Sequence, residues 1–162
     1  MPFIALDTGA RLHYDDEGRG RPVACIHGLW CSRRFFRPEI PACGARHRHI
    51  APDTLRGHGS SERTAAGHTV AQHARDIQAL IEQLGLRDVV LLGHSMGAFV
   101  IWDYFRQFGT TGLAATVAAD HAACDYQWPD WAHWVFDFAV RCQIMTQIQE
   151  DWPVMAETST AT

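Results

Sequence analysis

Short apolar runs, separated by polar and glycine-rich stretches, alternate along this chain with longer amphipathic segments. Phe3 to Leu6 and Arg11 to Tyr14 are predicted to form two strands joined at Asp7-Thr8-Gly9-Ala10, where glycine supplies the positive φ that a tight turn needs. Asp15 to Arg21 is polar and predicts a connector into Pro22-Val23-Ala24-Cys25-Ile26, a run that suits a strand buried on both faces. Ser32 to Ile40 carries Phe35, Phe36 and Ile40 at roughly helical spacing, and His49 to Pro52 leads as a fourth strand into Asp53. Thr69-Val70-Ala71-Gln72 has the form of a capping box, in which the threonine oxygen accepts from an early amide and the glutamine reaches back to the cap. The helix it opens puts Val70, Ile77, Leu80, Ile81 and Leu84 on one stripe, turns Gln72, Arg75, Gln78 and Glu82 away, and stops at Gly85. Asp88 to Leu92 predicts a fifth strand, Met96 to about Phe108 a helix ended by Gly109, and Leu113 to Ala119 a sixth strand. This alternation predicts an α/β fold, a three-layer α/β/α sandwich with a mostly parallel sheet, which receives ligands at the carboxyl ends of its strands.

Residues 123 to 152 differ in character, holding Trp128, Trp131, Trp134 and Trp152 with Phe136 and Phe138 at partly helical spacing. Such a stripe reads either as ordinary core or as a lid over the strand ends. The chain is therefore divided into a core domain over 1–122, a partial aromatic-rich helical lid over 123–155, and a small polar tail over 156–162 that is expected to fray.

Composition is that of an ordinary globular domain, with 47% hydrophobic and 20% charged residues in 162. A formal charge of -4 gives no electrostatic reason to expect nucleic acid or an anionic membrane as partner. Two basic clusters, Arg33-Arg34 with Arg37 and Arg46-His47-Arg48-His49, read as solvated faces. The N-terminus lacks the basic and apolar blocks of a secretory signal, so a cytoplasmic protein is expected. The five cysteines are odd in number and lack Cys-x-x-Cys spacing, which argues against a disulfide framework and a zinc site. Cys25 reads as a small core residue.

Gly93-His94-Ser95-Met96-Gly97 directly follows the apolar run of the fifth strand and opens a helix. A strand, sharp turn and helix with serine at the apex form a nucleophile elbow. A serine hydroxyl is a weak nucleophile, so it must be lifted out of the sheet, within reach of a base and beside backbone donors for an oxyanion. Gly93 and Gly97 suit that turn, because residues without Cβ relieve both the backbone strain and the crowding of helix on strand.

With these residues in view, the chain resembles the α/β-hydrolase superfamily, in its branch of small cofactor-free esterases and perhydrolase-like enzymes. Ile26-His27-Gly28-Leu29-Trp30 is similar to the family's oxyanion loop, Asp53 with Arg56-Gly57-His58-Gly59-Ser60-Ser61 to the loop after strand four, and the elbow is the third point of likeness. The opening segment from Leu12 to Pro22 is similar to the family's first hairpin, so the resemblance spans about residues 3 to 120. It implies Ser95 as nucleophile and the backbone amides of Leu29 and Met96 as oxyanion hole. His27, Gly28, Gly93, His94 and Gly97 would shape the site, and no cofactor or metal would be needed. Asp120, at the end of strand six, matches a position that some branches use for the catalytic acid and that in others is structural. The substrate implied is a small ester, thioester or lactone; serine in place of aspartate argues against the dehalogenase and epoxide-hydrolase branches.

The chain departs from the family pattern in two places. Asp53 lies one position further from Arg56 than in the common Asp-x-Arg-Gly form. After Ser95 the histidines are His121 and His133, and neither follows an eighth strand, where the family's base sits. The expectation is thus a fold with about six of the usual eight strands, truncated within the lid, whose sixth strand forms an exposed apolar edge open to self-association. Two functions remain open: a hydrolase working through an acyl-enzyme on Ser95, or a catalytically deficient fragment acting as a noncatalytic scaffold or without independent function.

Overall fold

The computed structural model describes residues 2–43, 45–54 and 56–121, together with Ala139, Cys142, Gln143 and Thr146. The chain divides after His121 into two units, and the fold below is that of the first. Most of the second, with the expected lid over 123–155, the tail from 156, and His133, lies outside the described residues. Within it, the Thr146 hydroxyl donates to the Cys142 carbonyl at 3.0 Å.

β1 (Phe3–Ala5) and β2 (Arg11–Gly18) pair antiparallel, and the turn between them closes where the Leu6 amide donates to the Ala10 carbonyl at 2.8 Å. β2 is longer than its apolar pattern predicts. Its polar half, read from sequence as a connector, pairs antiparallel with β4 (His47–Pro52) from Tyr14↔Pro52 to Gly18↔Arg48. Ion pairing takes the place of apolar burial there: Arg48 forms a two-pronged bond to Asp16 at 2.7 and 2.8 Å, and Asp15 accepts from Arg33 at 2.9 Å.

β3 (Arg21–Ile26), β4, β5 (Val89–His94) and β6 (Leu113–Ala119) run parallel, and the strand order is β1-β2-β4-β3-β5-β6. After β3 the chain steps outward to β4 and then crosses back to β5, which makes the gap between the ends of β3 and β5 the switch point of the sheet. Alternation along the strands sorts two cores. Ala24, Ile26, Ile50, Val89 and Leu91 pack with Ile77, Leu80, Val100 and Ile101 of α2 (Val70–Gln83) and α3 (Met96–Phe108). Val23, Cys25, Ala51 and Leu92 instead pack with Phe36 of a 3₁₀ segment, Arg33–Glu39, that continues into α1 (Ile40–Cys43). Helical layers thus lie on both faces of the mostly parallel sheet.

α2 starts and stops through its caps. The Thr69 hydroxyl accepts from the Gln72 amide at 3.1 Å, and at the other end Leu86 and Gly85 amides donate to the Ile81 and Glu82 carbonyls at 2.9 and 3.0 Å around Gly85 at φ +60. The expected return bond of the capping box is absent. The Gln72 side chain, expected to face away, is buried and donates to Asp76 Oδ1 at 2.9 Å while accepting from Arg75 at 2.7 Å. The oxygen that would accept from the cap is taken by the Arg75 guanidinium, and the N–H₂ donates to the buried Asp76 carboxylate one turn along.

The basic clusters also differ from expectation. Arg33 and His49 are buried, the first between Asp15 and Asp53 and the second with its Nε2 3.1 Å from the Cys25 thiol. Along its outer side β6 has no strand partner among the described residues, and Val117 is 45% exposed. No helix among them is long and apolar enough to cross a membrane.

Candidate active site

Two loops meet at the switch point, one after β3 and one after β5. Ser95 follows β5 at φ 51, ψ -121, a conformation that costs an L-residue about 1–3 kcal/mol and persists only where its surroundings over-determine it. Here they do. The Ser95 amide donates to the Ala119 carbonyl at the end of β6, 3.0 Å away, and the Ser95 carbonyl accepts from the Ala98 amide at 2.8 Å.

Glycine on either side is a matter of space. A Cβ on Gly97 would overlap the Ile26 carbonyl oxygen of β3, and one on Gly93 would overlap the Gly97 carbonyl. A Cβ on Gly28 would lie 3.0 Å from both the Ser95 Cβ and the His94 Nδ1. Three positions without Cβ therefore let β3, the elbow and the first turn of α3 approach at backbone contact. Met96 opens α3, where first-turn amides have no intrahelical acceptor. The Leu29 amide donates to no described residue.

His27 is fully buried and shares a hydrogen bond of 2.8 Å with the Gly28 carbonyl, which requires the proton on Nδ1. Burial, only partly opposed by that carbonyl, pushes its pKa down to about 4, so the ring is neutral near pH 7 and braces the loop. His94 is stacked on Phe35, with ring centroids 4.3 Å apart, and its Nε2 stands 3.6 Å from Asp120 Oδ2. Asp120 is itself at φ +55 with a largely exposed carboxylate. His121 packs its ring on Phe99, centroids 4.3 Å apart.

A buried carboxylate ties the loop after β3 to the loop after β4. Asp53 accepts from the Arg33 amide, the Arg33 guanidinium and the Ser60 amide, each at 2.8 Å. Sequence reading identified Asp53 only by likeness. The strand-bound Asp15 and the Arg33 cluster were the available signals for this hub. A second buried pair, Arg56 and Asp76 at 2.9 and 3.1 Å, fixes the 56–67 segment against α2. Burial alone would raise the Asp76 pKa, but hydrogen bonds from His73, Arg56 and Gln72 outweigh it and hold the carboxyl below its ordinary range. Among the described residues, no three His, Cys, Asp or Glu side chains converge as a metal site would need.

The site faces outward through Leu29, Trp30 and Phe35, each between 43% and 48% exposed. The switch point therefore joins a strained serine, the Leu29 and Met96 amides and an apolar rim.

A family model described as alpha/beta hydrolase fold matches residues 21–141. Over 117 residues, 72% of this chain and 43% of the relative, the chain is 33% identical to a non-heme haloperoxidase from Rhodococcus erythropolis. It is 38% identical over 101 residues, 62% of this chain and 35% of the relative, to a soluble epoxide hydrolase from a Corynebacterium species. Among solved structures, an esterase from Exiguobacterium antarcticum superposes with a TM-score of 0.88 at 26% identity, covering 96% of this chain and 58% of the other. The chain spans less than half the length of the curated relatives it matches.

Proposed function

Because the chain belongs to the alpha/beta hydrolase fold family, we propose that it is a cytoplasmic serine-dependent hydrolase that opens a small ester, thioester or lactone through an acyl-enzyme on Ser95. The observation that carries the proposal is the strained Ser95 backbone between Gly93 and Gly97, packed against the turn that bears the Leu29 amide. Ser95 Oγ attacks the carbonyl carbon and gives up its proton to a base. The tetrahedral oxyanion is held by the Leu29 and Met96 amides, and its collapse expels the protonated alcohol or thiol. Water then repeats the attack and releases the acid. His27, Gly28 and His94 set the position of the two loops, and Asp120 is the carboxylate that faces His94.

A second reading is a noncatalytic scaffold. It is favoured by one observation: among the described residues the one histidine that follows Ser95 is His121, and its ring lies on Phe99. Fluorophosphonate labelling of the folded chain separates the two. Stoichiometric labelling that Ser95→Ala abolishes supports acyl transfer, and a folded chain that does not label supports the scaffold.

A further inference from the structure

The turn after β3 adopts a form that its own residues do not favour. The Cys31 amide donates to the Gly28 carbonyl at 3.3 Å and closes a four-residue turn, and of the two central residues Trp30 alone has positive φ, at +62. That is the pattern of a type II turn, whose third position normally takes glycine or asparagine. Leu29 and Trp30 would both sit without strain in a type I turn, which differs by a flip of the peptide between them. The N–H of that peptide is the Trp30 amide, and it donates to His58 Nε2 at 3.2 Å.

His58 is itself held. Its carbonyl accepts from the Ser61 amide at 3.2 Å, and the amide of Ser60, two residues after His58, donates to Asp53 Oδ2 at 2.8 Å. Asp53 also accepts from the amide and guanidinium of Arg33, just beyond the turn. Both ends of the Trp30–His58 bond thus hang on one buried carboxylate.

We propose that His58 is a positioning residue: by accepting the Trp30 amide it holds the Leu29–Trp30 peptide in the strained orientation and leaves the Leu29 amide as the donor this turn offers to a substrate. The proposal rests on the acyl-transfer reading of Ser95. An accepting Nε2 puts the ring proton on Nδ1, and a ring protonated at both nitrogens has no lone pair to offer. The ring of His27, at the end of β3, lies beside that of His58, with centroids 5.8 Å apart.

The test uses the full chain labelled with ¹⁵N, in wild-type form and as His58→Ala and His58→Gln. Ring-nitrogen shifts report the His58 tautomer, amide exchange reports Trp30, and fluorophosphonate labelling reports Ser95. The expected result is an Nδ1–H tautomer, a protected Trp30 amide, and labelling slowed ~10-fold in His58→Ala, less than the ~10²–10³ that outright loss of an oxyanion donor costs. His58→Gln, which keeps an acceptor, restores most of the rate. A proton on Nε2, or a folded His58→Ala with unchanged Trp30 exchange and unchanged labelling, overturns the assignment. A wild type that never labels, yet shows the expected tautomer and a Trp30 amide deprotected by His58→Ala, overturns the serine chemistry and supports the turn-holding role.

Discussion

Gly97→Ala sets two effects of opposite sign against each other. Alanine in a helix is favoured over glycine by about 1 kcal/mol, and it also narrows the unfolded ensemble. Against this, the new Cβ overlaps the Ile26 carbonyl oxygen and stands 2.9 Å from the Ile26 carbonyl carbon and 3.2 Å from the His27 carbonyl oxygen. These are backbone atoms of a strand locked between β4 and β5 through pairings such as Ala24↔Ile50 and Ile26↔Gly93, so they cannot rotate aside. The helix must retreat instead. Overpacking of this kind costs about 1–3 kcal/mol, which leaves a net destabilisation of about 0–2 kcal/mol once the helical gain is subtracted. On the proposed acyl transfer the larger effect falls on chemistry, because a retreat on the order of 1 Å carries the Met96 amide with it, and such a misplacement costs on the order of 100-fold in rate. Urea unfolding measures the first effect and fluorophosphonate labelling the second. Gly85→Ala is the control: its Cβ meets nothing within 4 Å, but its φ of +60 is strained for alanine, so it should lose about 1 kcal/mol with labelling unchanged. A Gly97→Ala protein as stable as wild type and labelled at the same rate would refute the claim that the missing Cβ sets the helix-to-strand approach.

Two further outcomes follow from the same structure. Burial lowers His27 from 6.5 to about 4, so between these values the unfolded chain takes up a proton that the folded chain refuses. This contribution is complete above pH 6.5, is lost as pH falls toward 4, and amounts to on the order of 3 kcal/mol; urea midpoints at pH 7 and 4.5 should converge in His27→Asn, and an undiminished pH dependence in that variant would exclude His27 as a source. The outer edge of β6 is proposed as a self-association surface, since Leu113–Ala119 carries no charge and Val117 is 45% exposed. Val117→Lys should shift sedimentation toward the 18.2 kDa monomer, and an unchanged profile would remove β6 from consideration.

Legibility in the sequence followed the range of the interactions. The Thr69 cap, the Gly85 stop, the extents of α3 and β6, and the elbow itself were readable because each is settled within a few residues by turn geometry and amide satisfaction. The polar half of β2 was not. Asp15 and Asp16 find Arg33 and Arg48, 18 and 32 residues away, and no periodicity records a partner at that distance. For the same reason Arg33 and His49, which look like surface charges, are buried, and Gln72 turns inward to a carboxylate instead of back to its cap.

The site divides in the same way. Serine between two glycines after an apolar run was visible as a motif, whereas the bond from Trp30 to His58, which spans 28 residues, was not. By itself the sequence determined the order of strands and helices and the backbone form of its caps and the elbow, because those depend on neighbours along the chain. The tertiary structure decided that β3 lies between β4 and β5, and so which loops meet. Sheet order is set by covering both faces with apolar side chains and by pairing buried charges across tens of residues, costs and gains that no local segment contains.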